Sequence, residues 1–391
     1  MYLDRLFKMM AEKQASDLFI SCGAPISMKI NGVVTALTNQ KMDIDTVRRV
    51  AYEIMSEDEA KTFETELEMN LSHLDPAVGN FRINIFRQRG TISMVIRYVR
   101  SDIPSFEQLH LPPVLLELVM EKRGLILIAG ATGSGKSTSL AAMIDHRNTQ
   151  KTGHILTIED PIEYLFKHKK SIVNQRELNV DTLTYTKALA NALREAPDLI
   201  MIGEIRDRET MQHTLLHTLT GHLCLATLHA NNSYHALSRI INMFPYDARS
   251  GLLSDLSIGL RAIVSQRLVR NKDGALQPAV EILLNTALIA ELVKSGEITQ
   301  IKDAMEKSLY PGSQTFEQAL CRLYIDGAIS YEEAMTASDS STNLAWLINQ
   351  NAPTARVDAM AAGQPEQDKK RRTGSDFATM QIEPDLLDRP H

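Results

Sequence analysis

The chain has 391 residues, 44% hydrophobic and 23% charged. This composition excludes disorder over most of its length and leaves room for roughly two or three domains. With 42 Lys+Arg against 48 Asp+Glu, a formal net charge of −6 and a pI of about 6.0, nothing global advertises a nucleic-acid partner. The three cysteines, Cys22, Cys224 and Cys321, are too scattered for a zinc site or a disulfide framework, which points to a reducing compartment.

The N-terminus, MYLDRLFKMMAEKQ, breaks its apolar residues with charges, which spoils a signal-peptide core and predicts an amphipathic helix near 2–14. The longest clean apolar run, Leu125 to Ala131, is far short of the ~20 residues that span a bilayer. The expectation is a cytoplasmic protein that reaches a membrane only through a partner. Extended segments follow at Asp17–Cys22 and Ser27–Ile30 with a hairpin turn at Asn31-Gly32, then helix-favouring text from Asp45 to Leu67, then β-rich runs at Phe81–Gln88 and Thr91–Val99. The first hundred residues read as a small α+β domain. Pro104, Pro112 and Pro113 make residues 101–113 a stiff connector.

Beyond it, apolar runs at Leu125–Ala129, His154–Ile158, Leu199–Ile202 and Leu223–Leu228 alternate with helical stretches near 136–147, 182–195 and 207–219. Short unbroken apolar strands predict a parallel sheet covered by helices on both faces. Residues 235–347 read as mostly helical. The remainder, 351–391, has one aromatic residue and the cluster Lys369-Lys370-Arg371-Arg372, and is expected to be a disordered tail. The cluster reads as a solvated charge patch, with contact to an anionic surface as the alternative.

Gly130-Ala131-Thr132-Gly133-Ser134-Gly135-Lys136-Ser137-Thr138 fits GxxxxGK[ST] between a strand and a helix. There, backbone N–H groups and a helix N-terminus converge on phosphate, Lys136 reaches the β- and γ-phosphates, and Ser137 offers a hydroxyl to Mg²⁺. The bland alternative is an ordinary glycine-rich turn. Glu159, Asp160 and Glu163 follow a buried strand. By itself such a segment is more often a solvated turn, but after a phosphate loop it suits a base that activates water. Gly203-Glu204 ends the next strand, so Glu204 either serves the metal or merely pairs with Arg206 or Arg208. His213, His217, His222, His229 and His235 cluster in sequence, but His222 and His229 bracket a strand and would sit ~23 Å apart if extended, too far to share an ion. His229, at the carboxyl end, is placed to sense a γ-phosphate, and His222 to serve a neighbouring interface. Arg82, Arg87, Arg89, Arg97 and Arg100 offer cations from the first domain.

GATGSGKST, TIEDPIEY, LIMIGEIRD and TGHLCLATLHAN, in that order, resemble the hexameric secretion and type IV pilus motor ATPases. In that family these are the Walker A motif, Asp box, atypical Walker B motif and His box. ASDLFIS…KINGVV and NQRELNVDTLTYTKALANALREAPD look like its retraction branch, the PilT and PilU type, and the resemblance runs over about residues 1–347. It implies a PAS-like domain at 1–100, a linker at 101–113, and a RecA-like P-loop ATPase domain with C-terminal helices at 114–350. It also implies a homo-hexamer holding ATP and Mg²⁺ between the two domains of each subunit.

By the same resemblance Glu163 and Glu204 are catalytic, and Ser137 and Glu204 face the metal. Residues 130–138 with Arg82, Arg97 and His229 bind nucleotide, and His222 and Arg206 act at subunit interfaces or as sensors. The implied function is pilus retraction and twitching motility, at the cytoplasmic side of the inner-membrane pilus base, with a platform protein and a PilT-type ATPase as partners. One stretch departs: where PilT-type motors carry AIRNLIRE, this chain has Leu288-Ile289-Ala290-Glu291-Leu292-Val293-Lys294-Ser295, which resembles the PilU branch and raises the alternative of an accessory ring that assists a PilT-type motor. An extension or secretion ATPase fits less well for want of a four-cysteine site, and a nucleic-acid translocase for want of basic charge.

Overall fold

The structure, a computed structural model, describes residues 2–30, 32–75, 78–99, 102–308 and 310–351. The chain opens with α1 (Tyr2–Glu12), which buries Leu3, Leu6, Phe7 and Met10, the spacing of one helical face. β1 (Asp17–Ser21), β2 (Pro25–Ile30) and β3 (Val33–Lys41) form an antiparallel meander. Ile30 pairs with Val33 around Gly32, whose φ is +82°, while Asn31 lies outside the described residues. α2 (Ile44–Ile54) is capped by the Asp43 carboxylate, and α3 (Glu57–Glu66) by a reciprocal Ser56/Glu59 box. β4 (Glu68–Asp75), β5 (Gly79–Gln88) and β6 (Thr91–Val99) complete a six-stranded antiparallel sheet in the order β3-β2-β1-β6-β5-β4.

The three helices share one core with this sheet, Phe7, Val50 and Phe63 meeting Phe81, Ile83, Ile85, Met94 and Ile96. Alternation then sends Arg82 and Arg97 to the opposite face, where Asp17, Arg97 and Arg82 stand in a cross-strand row on β1, β6 and β5. β4 was not expected. It is an edge strand with only Leu71 buried, so its composition carries little strand signal.

After α4 (Val114–Val119) come β7 (Gly124–Ala129), α5 (Lys136–Gln150), β8 (Gly153–Glu159), β9 (Ser171–Glu177), α6 (Tyr185–Ala192), β10 (Leu199–Ile202), α7 (Arg208–Leu219) and β11 (Leu223–Leu228). The chain goes on through α8 (Ser233–Asn242), α9 (Arg249–Gly259), β12 (Leu260–Arg270), β13 (Leu276–Leu284), α10 (Ala287–Ser295), α11 (Ile301–Glu306), α12 (Phe316–Ile325), α13 (Tyr331–Ala337) and α14 (Ser341–Asn351). The second sheet has seven strands in the order β13-β12-β7-β11-β10-β8-β9. Helices cover both faces, α4 and α5 over one core and α6 to α11 over the other. α12 to α14 pack on the β12/β13 edge around Phe316 and Leu320.

Two sequence readings are corrected. Residues 235–347 are not simply helical: β12 joins β7 in parallel and β13 folds back antiparallel, so the sheet is mixed. The run LRAIVSQRLVR is buried along most of its length, and a buried apolar run does not declare helix or strand by periodicity alone. β9, also unexpected, is an edge strand whose second half is polar. Residues 352–391, where a disordered tail was expected, lie outside the described residues. Among the described residues no helix is long and apolar enough to cross a membrane.

Candidate functional site

The carboxyl ends of the parallel strands deliver their loops to one edge of the sheet, where open α/β sheets bind ligands. β7 runs out into Gly130, and the chain turns through Gly133 and Gly135, with φ of +79° and +86°, into α5. These values favour glycine. A Cβ on Gly135 would also lie 2.7 Å from the Gln266 amide nitrogen, and one on Gly130 would lie 2.7 Å from the Gln266 carbonyl oxygen. Lys136 folds back over the loop, donating from Nζ to the carbonyls of Gly130 and Ala131 at 2.9 Å each. Burial lowers its pKa, and the nearby Glu204 and Glu163 charges oppose that shift.

A cavity of about 530 Å³ opens over this loop. Thr132, Gly133, Gly135, Lys136, Ser137 and Thr138 line one wall; Glu163, Glu204, Arg206 and His229 line the facing side. Gly130, Ala131 and Ser134 do not line it, Gly130 and Ser134 being buried and Ala131 exposed. Glu204 is ion-paired after all: its carboxylate accepts from Arg206 Nε at 2.7 Å and lies 3.3 Å from His229 Nε2. Arg206 also reaches Asp160 at 3.2 Å. The pairing and the cavity position coexist, so the two sequence readings of Glu204 are not exclusive.

Several site groups were missed or left without a role. Glu159, only 5% exposed, accepts from Thr157 Oγ1 at 2.6 Å and from Gln175 Nε2 at 3.2 Å. Burial pushes its pKa up to about 7. Gln266 of β12 donates to the Ser134 carbonyl at 2.9 Å and accepts from Ser139 Oγ at 2.7 Å, bracing the loop from the neighbouring strand. Tyr185 of α6 lines the cavity with its hydroxyl buried; burial raises its pKa, and the Glu204 backbone opposes the shift. Ser134 Oγ is buried and meets no hydrogen-bond partner among the described residues. No local motif marks Gln266, and Tyr185 sits in the family-like run from Asn174 without a role of its own, because each reaches the site only through the fold.

Other expected members stand elsewhere. Arg97 is held by Asp17 at 2.9 Å, and neither Arg97 nor Arg82 lines the cavity within the single chain. The Arg82 charge is felt by Glu177 at the end of β9. His222 lies at the opposite end of β11 from His229, its Nδ1 3.1 Å from the His217 carbonyl. The departing stretch 288–295 falls within α10, where Ile289 and Val293 are buried and Leu288, Glu291 and Lys294 are exposed.

The profile of the family described as type II/IV secretion system protein matches residues 1–349. The type IV pilus ATPase PilU of Pseudomonas aeruginosa is 48% identical over 349 residues, 89% of this chain and 91% of that protein. PilT of the same organism, a type IV pilus retraction ATPase, is 38% identical over 85% of this chain and 97% of its own length. Among solved structures, the pilus retraction motor PilT with bound ADP superposes with a TM-score of 0.82 at 40% identity, covering 88% of this chain and 98% of that one.

Proposed function

Since the chain belongs to the type II/IV secretion system protein family, we propose that it is an ATP-hydrolysing motor of type IV pilus retraction, working as a homo-hexameric ring beside a PilT-type ATPase. The observation that carries this reading is the convergence of the glycine loop, Lys136, Glu163, Glu204 and His229 on one cavity. Its supports are the 48% identity to a pilus ATPase and the likeness to an ADP-bound retraction motor. On this reading the second sheet belongs to a RecA-like P-loop domain and the first to a PAS-like one, meeting near residues 101–113.

The cavity fits a magnesium nucleotide. Loop N–H groups and Lys136 suit phosphate, and Ser137, Glu163 and Glu204 in its lining present the oxygen donors that a hard cation takes. Ser137 and Glu204 would hold Mg²⁺, which when bound neutralises charge between the β- and γ-phosphates. Lys136 exchanges its two loop carbonyls for phosphate oxygens. Glu163 orients the attacking water and takes its proton, so that ATP and water leave as ADP and phosphate. His229, beside Glu204, reports whether the γ-phosphate is present. Arg82 and Arg97 bring the first domain's charge to the nucleotide, so that hydrolysis releases that domain to move. Force would pass to an inner-membrane platform protein on the cytoplasmic side.

Purified protein tests the site. Glu163→Gln and Glu204→Gln should each lower kcat about 10²-fold while fluorescent-nucleotide affinity changes less than about threefold, and Lys136→Ala should abolish binding. Undiminished turnover in both glutamine variants would sink the assignment. A second reading, an accessory ring without force of its own, draws on α10, where Ala290 stands for the first arginine and the exposed Glu291 for the asparagine of the PilT-type AIRNLIRE. Full pilus retraction by cells carrying this chain as the sole ring ATPase would exclude it.

A further inference from the structure

The segment that carries Glu163 has almost no regular structure of its own between β8 and β9, so something outside it must fix where the carboxylate stands. β9 supplies the fixing groups. The Ile162 N–H donates to Glu177 Oε2 at 3.2 Å, Gln175 Nε2 donates to the Tyr164 carbonyl at 2.8 Å, and the Phe166 N–H donates to Gln175 Oε1 at 2.8 Å. Gln175 and Glu177 are alternate residues of the edge strand, so both side chains leave the same face. They stand opposite Thr157 and Glu159 in the parallel register with β8. The bonded backbone groups belong to the residues immediately before and after Glu163 and to one two positions further on. Gln175 gives its remaining proton to buried Glu159.

Glu177 is itself held in place: its own N–H donates to Asp181 Oδ2 at 2.9 Å. Burial raises its pKa, and the Ile162 N–H and the more distant Arg82 charge oppose that shift.

We propose that Gln175 and Glu177 are positioning residues for hydrolysis: edge strand β9 clamps the backbone on both sides of Glu163. This rests on the reading of Glu163 as the base. Misplacement of a catalytic group by about 1 Å can cost of the order of 10² in rate without changing ground-state binding; the clamp therefore acts on kcat and leaves KM for ATP nearly untouched.

The full-length chain tests this in two independent ways. Without nucleotide, hydrogen exchange of the amides at Ile162–Phe166 should quicken about tenfold or more in Gln175→Leu and Glu177→Leu, while Glu177→Gln, whose amide oxygen still accepts from Ile162, keeps its protection. In steady-state turnover, Gln175→Leu should lower kcat at least tenfold with KM within about threefold. Unchanged exchange in both leucine variants overturns the clamp, whatever the activity. Quickened exchange with unaltered kcat overturns its role in hydrolysis. A wild-type chain that does not hydrolyse ATP would refute the proposed function while leaving the exchange result to decide the clamp.

Discussion

Burial of a carboxyl is tolerated at Glu159 because Thr157 and Gln175 donate to it, and the Glu163 backbone N–H also favours its charge, yet desolvation outweighs these and its pKa rises from 4.5 to about 7. The folded chain therefore binds this proton more tightly than the unfolded one. Its contribution costs nothing below about pH 4.5, grows unfavourable as pH rises toward about 7, and is constant above that. The cost is at most about 3 kcal/mol. Denaturation of wild type and Glu159→Gln at pH 5 and pH 8 checks this: the loss of stability between the two pH values should be smaller in the variant. Equal losses would show that Glu159 ionises as it does in the unfolded chain. Motif reading placed Glu159 among three acidic residues at a strand end, but which one is buried and which faces the cavity depends on packing against β9.

At the scale of elements, the glycine loop proposed to cradle phosphate is held by a strand that the local pattern did not reveal. Gln266 is nearly buried and bonds the loop at Ser134 and the following helix at Ser139. Gln266→Ala would leave a buried carbonyl and a buried hydroxyl without partners, costing about 1–3 kcal/mol. It should also weaken ADP binding several-fold, as read by the urea midpoint and a fluorescent-nucleotide titration. An unchanged midpoint would mean the loop holds itself. The motif GATGSGKST states the loop's chemistry in nine consecutive residues. Its support comes from more than a hundred residues away, where β12 reads as an ambiguous apolar run. In the same way, NQREL is visible as family-like text, but that Gln175 and Glu177 grip the backbone around Glu163 follows only from the register of β9 on β8.

Across the whole molecule, the helix after the glycine loop is tied to α4, which follows the connector from the first sheet. Arg147, near the end of α5 and only 2% exposed, donates through Nη1 to the carbonyls of Val119 and Glu121 at 2.6 and 2.9 Å, capping α4. Arg147→Met removes that donor while keeping apolar volume, and should lower stability by about 3 kcal/mol with nucleotide affinity within about twofold. Calorimetry and ADP titration measure the two, and an unchanged Tm would place the rigidity of the joint elsewhere. The opposite face of the first sheet carries the row Asp17, Arg97 and Arg82, whose like charges stand side by side and are offset by Asp17.

By itself, the sequence determined what depends on neighbours along the chain. Glycine spacing sets the glycine loop, strand-end acids set the candidate chemistry, and the alternation of apolar runs with helical text sets the α/β architecture; each is local because a turn, a strand or a helix cap is satisfied within a few residues. The tertiary structure decided what depends on distant pairing: the hairpin β12/β13 and its brace on the loop, the clamp of β9 on Glu163, the ion pairs of Glu204, and the placing of Arg82 and Arg97 outside the cavity. Those outcomes turn on sheet order, register and burial, which arise only when residues far apart in sequence compete for the same buried hydrogen bonds and the same desolvated charge.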